Sequence, residues 1–200
     1  AGIAGTLIGP SVAERTEVAA VRANIRRVVC DVAFRPVFQP IVDLHTGSVV
    51  GYEALTRFDD GTAPDVKFTE AQEVGMGARL EVATLQAAIE AARELPDYTW
   101  LNLNVSPQLI LAGPRLQELL APERRDLILE VTEHAAVADY GEFRRAIGRL
   151  GPNVRIAIDD AGAGYSSLHH ILELGPSIVK LDRAIVTGLE GDRARAALVA

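Results

Sequence analysis

The period of the apolar residues changes along the chain and marks out its elements. Val18, Val21, Ile25 and Val28-Val29 recur at helical spacing with Arg22, Arg26 and Arg27 between them, which predicts an amphipathic entry helix from about Ser11. The stretch Ala1 to Pro10 before it is small and apolar without a basic start, and reads as a linker cut from a longer chain. Pro36–Leu44 and Ser48–Phe58 read as strands joined around His45-Thr46-Gly47, a connection short enough to force them antiparallel. Thr69–Leu95 is a helical pattern through Val74, Leu80, Ala83, Leu85, Ala88 and Ala92. Strands follow at Thr99–Val105, Leu127–Thr132, Val154–Asp159 and Ser177–Leu181. Between and after them lie helical stretches reaching Leu120, over Ala135–Leu150 and Ser166–Leu174, and at Arg193–Ala200. Strands recurring every roughly 25 residues with helices between are the mark of βα units and a parallel sheet.

Strand parity separates an open doubly wound sheet from a barrel. Side chains alternate between the two faces of a strand. One face carries Gly51, Glu53 and Arg57, then Asn102 and Asn104, Ile128 and Glu130, Ala157 and Asp159, and Ile178 and Lys180. The other carries Leu101, Leu103, Val105, Leu129, Val131, Ile156, Ile158, Val179 and Leu181. An open sheet covered by helices on both sides reads apolar on both. One apolar face, and one with a carboxylate, amide or amine near each C-terminal strand end, favours a barrel with its site at that mouth.

That polar face defines the candidate chemistry. Glu53, Glu130, Asp159 and Asp160 are carboxylates, and Asn104 adds a carbonyl oxygen. Hard oxygen donors without cysteine or histidine suit Mg²⁺ or Mn²⁺ rather than zinc. Asp159 and Asp160 can converge on one site or bridge two ions, and paired ions clamp an in-line attack on a phosphodiester. Lys180 among them can orient or activate the attacking water, or neutralise developing charge. The loop Asp160-Ala161-Gly162-Ala163-Gly164-Tyr165-Ser166-Ser167 can approach a ligand closely through Gly162 and Gly164. Glu133 either anchors that loop or is a surface carboxylate. His45, His134, His169 and His170 read as structural or surface residues.

Composition narrows the partners. The chain has 200 residues, and 20 Lys+Arg against 27 Asp+Glu give a net charge of -7. That charge argues against a nucleic-acid polymer, whose binding needs clustered cations. The single cysteine, Cys30, excludes an internal disulfide and fits a reducing compartment, so a cytoplasmic setting is expected. No stretch reaches the roughly 18 apolar residues of a membrane span.

Gly51-Tyr52-Glu53-Ala54-Leu55-Thr56-Arg57 resembles the signature of the EAL domain, the cyclic di-GMP phosphodiesterase family. Gln39-Pro40-Ile41-Val42-Asp43, Asn104-Val105-Ser106-Pro107, Glu130-Val131-Thr132-Glu133, Asp159 through Ser167 and Lys180-Leu181-Asp182-Arg183 are similar to its other motifs, in order. The resemblance covers about Phe34 to Leu189. It implies a TIM-like (β/α)8 barrel with an antiparallel first strand, opening cyclic di-GMP to linear pGpG with Mg²⁺ or Mn²⁺. By resemblance, Glu53, Asn104, Glu130 and Asp159 hold one metal and Asp160 helps hold a second, with Asp159 bridging. Lys180 acts on the nucleophilic water, Arg57 contacts a substrate phosphate and Gln39 lies near a guanine or the site wall. Glu133 anchors the glycine-rich loop. The family's loop has Phe where this chain has Ala161. The chain is expected to be truncated, its last two βα units absent together with the family's Ala-Glu-Gly-Val-Glu segment, because such a barrel needs about 250 residues. The expected division is residues 1–30 as linker and entry helix and 31–200 as an incomplete phosphodiesterase barrel. The expected partners are cyclic di-GMP, an attached sensory or signalling domain and a second copy of the chain. A non-catalytic cyclic di-GMP receptor is the alternative function.

Overall fold

The computed structural model describes residues 12–132, 138–161 and 171–187, with the side chains of 12–14, Thr132, Asp160, Ala161 and Ile185 also left out. The chain gathers into two compact units. One joins the segment up to Arg35 with Thr56–Thr84, and the other joins Pro36–Leu55 with the chain from Leu85 onward.

The first unit is mainly helical. The entry helix α1 spans Val12–Cys30 and buries Ile25 and Val28. Helix α2 (Pro64–Glu73) starts with proline in its first turn, where the lost N–H costs nothing. The sequence predicts one helix from Thr69 to Leu95, but the structure breaks it. Gly75 takes a φ of 70° after α2, and a new helix, α3, runs over Gly77–Ala91. Arg22 of α1 caps the break by donating from Nε and Nη2 to the Val74 carbonyl, at 3.0 and 2.8 Å. Phe58 meets Phe34 and Phe68 edge-on, with centroids 6.2 and 5.9 Å apart.

The second unit carries most of the sheet. Strands β1 (Phe34–Val42), β2 (Val49–Phe58), β3 (Trp100–Asn104), β4 (Leu127–Thr132), β5 (Val154–Ala161) and β6 (Ile178–Leu181) lie in sequence order. β1 is antiparallel, closed onto β2 by the Asp43 N–H to Ser48 carbonyl bond of 2.9 Å. Asp43 holds this turn by accepting from the backbone N–H groups of His45 and Thr46. β2 through β6 are parallel. β1 carries Pro36 and Pro40, which cannot donate to a ladder and are tolerated on an edge strand. Gly51 of β2 has no room for a Cβ, which would lie 2.3 Å from the Trp100 indole nitrogen.

Leu101, Leu103, Leu129, Val131, Ile156 and Ile158 are buried, as the parity pattern predicts. Helices α4 (Pro107–Ala112), α5 (Pro114–Leu120) and α6 (Tyr140–Gly148) contribute Leu109, Ile110, Leu116, Leu120 and Phe143 to the same core. The single helical stretch expected before Leu120 divides at Gly113, whose φ of 75° is closed to an α-helix. α6 begins later than the expected Ala135, because the Asp139 carboxylate accepts from the Glu142 N–H and fixes the N-terminus there. Val179 and Leu181 depart from the pattern. They stay 38% exposed, on the strand that ends the sheet order.

Arg125 fastens the base of this unit. Its guanidinium donates to the carbonyls of Ala92, Leu95, Pro96 and Thr99 and to the Thr99 hydroxyl. Those carbonyls follow the C-terminus of α3, where a cation is favoured.

Candidate active site

The parallel register converts strand parity into a cluster. Glu53 pairs with Asn102 and Asn102 with Ile128; one level higher, Asn104 pairs with Glu130 and Glu130 with Ala157. Between β5 and β6 the register slips. Ile158 faces Val179 but Ala161 faces Leu181, so Asp159 and Asp160 together span the place of Lys180. Such a bulge re-aims side chains, and bulges recur beside active sites.

Three carboxylates from three strands meet the Lys180 ammonium. Nζ lies 2.7 Å from Glu130 Oε2, 3.1 Å from Glu53 Oε2 and 3.1 Å from Asp159 Oδ1. The Glu130 side chain is fully buried, and those of Glu53 and Asp159 are only 17% and 19% exposed. Asn104 donates from Nδ2 to Glu53 Oε1 at 3.4 Å. Burial pushes the Glu130 carboxyl above the usual carboxylate range, against the hydrogen bond and charge of Lys180 that pull it down. Burial also opposes the charge on Lys180, but the Glu130 hydrogen bond and the surrounding carboxylates outweigh it and keep the ammonium charged beyond its usual range.

The donor set fits a divalent cation in chemistry. It is built of hard oxygens, and the space between them already holds a positive group. Among the described residues, no three His, Cys, Asp or Glu side chains stand in an arrangement that holds a metal ion by themselves. The ammonium occupies the centre, and the Asp160 side chain lies outside the described residues.

The structure therefore brings Glu53, Asn104, Glu130, Asp159 and Lys180 together and treats the remaining candidates differently. Gln39 stands exposed on β1. Arg57 belongs to the first unit, is exposed, and donates to its neighbour's carbonyl at Thr56. Glu133, Gly162 and Gly164 lie outside the described residues. Asn102 joins the cluster although the motifs do not single it out: it is 2% exposed and its Nδ2 donates to Glu130 Oε1. Its parity, two residues before Asn104, was the available signal.

Comparison with known proteins gives the chain its relatives. A family model of the EAL domain matches residues 22–200. The chain is 31% identical over 185 residues to an uncharacterized protein of Mycobacterium tuberculosis (strain H37Rv), covering 84% of this chain and 30% of that protein. It is 32% identical over 170 residues to the probable cyclic di-GMP phosphodiesterase PdeB of Escherichia coli (strain K12), covering 76% and 32% respectively. The chain thus spans about a third of the length of these relatives. Among solved structures, the manganese/cy-diGMP complex of Klebsiella pneumoniae BlrP1 aligns with a TM-score of 0.70 at 27% identity, over 84% of this chain and 45% of that one. An EAL domain protein from Listeria monocytogenes aligns with a TM-score of 0.73 over 96% of this chain and 77% of that one, at an identity of 20% that speaks for the fold alone. With its α/β architecture, antiparallel first strand and family match over most of its length, the chain belongs to the EAL domain family and has its TIM-barrel-like fold.

Proposed function

We propose that this protein is a metal-dependent phosphodiesterase that hydrolyses cyclic di-GMP to linear pGpG. The observation that carries the reading is the convergence of Glu53, Glu130 and Asp159 on Lys180 Nζ from four different strands. A relative named as a probable cyclic di-GMP phosphodiesterase, and a solved relative named as a manganese/cy-diGMP complex, support it.

In this reading Glu53, Asn104, Glu130 and Asp159 would hold one Mg²⁺ or Mn²⁺, and Asp160 together with Asp159 would help hold a second. When bound, the ions supply Lewis acidity and a water of lowered pKa. Lys180 would orient the attacking water and stabilise the negative charge that develops as water adds to phosphorus and the P–O3′ bond breaks. Arg57 and Gln39 contact the nucleotide, and Glu133 holds the loop carrying Gly162 and Gly164. The partners are cyclic di-GMP, an attached signalling domain and a second copy of the chain, in a cytoplasmic setting. No described helix is long and apolar enough to cross a membrane.

The test is incubation of the protein with cyclic di-GMP and Mn²⁺, with pGpG quantified by chromatography. Product from the unsubstituted protein and none from Glu53→Ala is the expected outcome. Tight binding without product at saturating metal replaces the enzyme reading with that of a receptor.

A further inference from the structure

Asn102 is the buried polar residue of this sheet that the proposed chemistry leaves without a role. It is 2% exposed and sits on the face that bears Glu53, Asn104 and Glu130. Its register neighbours are Glu53 on β2 and Ile128 on β4, and Ile128 fills the same level without a polar group. Nδ2 donates to Glu130 Oε1, while the carbonyl oxygen Oδ1 is buried with no hydrogen-bond partner among the described residues. An amide that leaves half its capacity unused in a buried site is a poor choice for folding alone.

Its effect is on Glu130. The two oxygens of that carboxylate have separate partners: Asn102 takes Oε1 and Lys180 takes Oε2. A fully buried glutamate with one oxygen fixed cannot rotate about its terminal bond, so Oε2 stays aimed at the cation position. We propose that Asn102 is a positioning residue that locks Glu130 for divalent-cation binding. It makes no contact with metal or substrate in this role, and the inference rests on the phosphodiesterase reading only in taking Glu130 to be a metal ligand. Outer partners of ligating carboxylates typically set metal affinity by about 10–100-fold.

The experiment is a Mn²⁺ titration followed by electron paramagnetic resonance on the unsubstituted protein, Asn102→Leu, Glu130→Gln and the double variant. Asn102→Leu is expected to weaken Mn²⁺ binding by about tenfold or more. In the Glu130→Gln background the same change is expected to alter affinity less than about twofold, because the group it acts through is gone. Equal affinity of Asn102→Leu and the unsubstituted protein overturns the proposal, as does an equal loss in both backgrounds, which marks a general packing effect. If Asn102→Leu does not fold, Asn102→Ser, too short to reach Glu130, is read in the same way. Failure of the unsubstituted protein to bind Mn²⁺ overturns the functional reading itself.

Discussion

Lys67 and Lys180 both sit among carboxylates, in different surroundings. Lys67 is 2% exposed, 2.6 Å from Asp60 and 4.0 Å from Glu70, with its Nζ 5.8 Å from the centre of the Phe58 ring. Both of its carboxylates are open to water, at 45% and 37% exposure. Solvent screens their charge, and the ion pair stitches the loop after β2 to α2. Lys180 meets three carboxylates within 3.1 Å, one of them fully buried. A single ammonium there faces three carboxyls, and burial opposes the charge of the Glu130 one. An ion pair by itself therefore does not mark a functional site. Several carboxyls gathered from separate strands on one ammonium and shielded from water make a candidate site.

Replacing each lysine by an isosteric apolar residue breaks this comparison if it is wrong. Lys180→Met is expected to lower the rate of pGpG formation by roughly 10²–10⁴-fold. Lys67→Met is expected to leave the rate per folded molecule unchanged. Initial rates at saturating Mn²⁺ decide it, and equal losses in both variants erase the distinction.

The metal is the next lever. Asp159→Asn removes one of the charges around Lys180 Nζ, and Mn²⁺ affinity by calorimetry is expected to fall by at least about tenfold. Asp60→Asn, whose partners are Lys67 and the Thr62 N–H, is expected to leave that affinity unchanged.

Stability shows the converse pattern with smaller effects. Lys67→Met loses a charge-assisted hydrogen bond to a half-exposed partner, and urea unfolding is expected to show a loss of about 1 kcal/mol. The smallest effect is acid sensitivity. The Lys67 hydrogen bond, with help from the Thr62 N–H, holds the Asp60 carboxyl down from 3.8 to about 2. A carboxyl depressed on folding adds stability above its unfolded value and loses it as pH falls through the folded one. Asp60→Asn should therefore flatten the dependence of stability on pH between about 4 and 2. An unchanged slope in that window removes Asp60 from the acid response.

The site was legible in the sequence to the extent that its rule is local. Alternation along a strand is fixed by backbone geometry, so Glu53, Asn104, Glu130, Asp159 and Lys180 could be assigned to one face before any strand was paired. Helix ends were less legible. The α2–α3 break at Gly75 and the late start of α6 at Asp139 depend on single residues whose backbone conformation or side-chain cap overrides a continuing apolar pattern. Asn102 was on the right face, but its importance comes from Glu130, 28 residues away, which spacing alone could not couple to it.

What the sequence by itself determined is the order of elements, the face each strand turns inward and the oxygen-rich chemistry of that face, because these follow from periodicity and residue type. Only the tertiary structure decided the level at which each residue stands. The parallel register sets Asn104 beside Glu130, and the slip at Asp159 and Asp160 brings β5 opposite Lys180. It also decided that Arg125, one charge in a polar connection, gathers four carbonyls, and that Val179 and Leu181 remain exposed. Register, stagger and burial depend on hydrogen bonds and packing between segments far apart in the chain. No local pattern carries that information, so it emerges only when the strands are laid side by side.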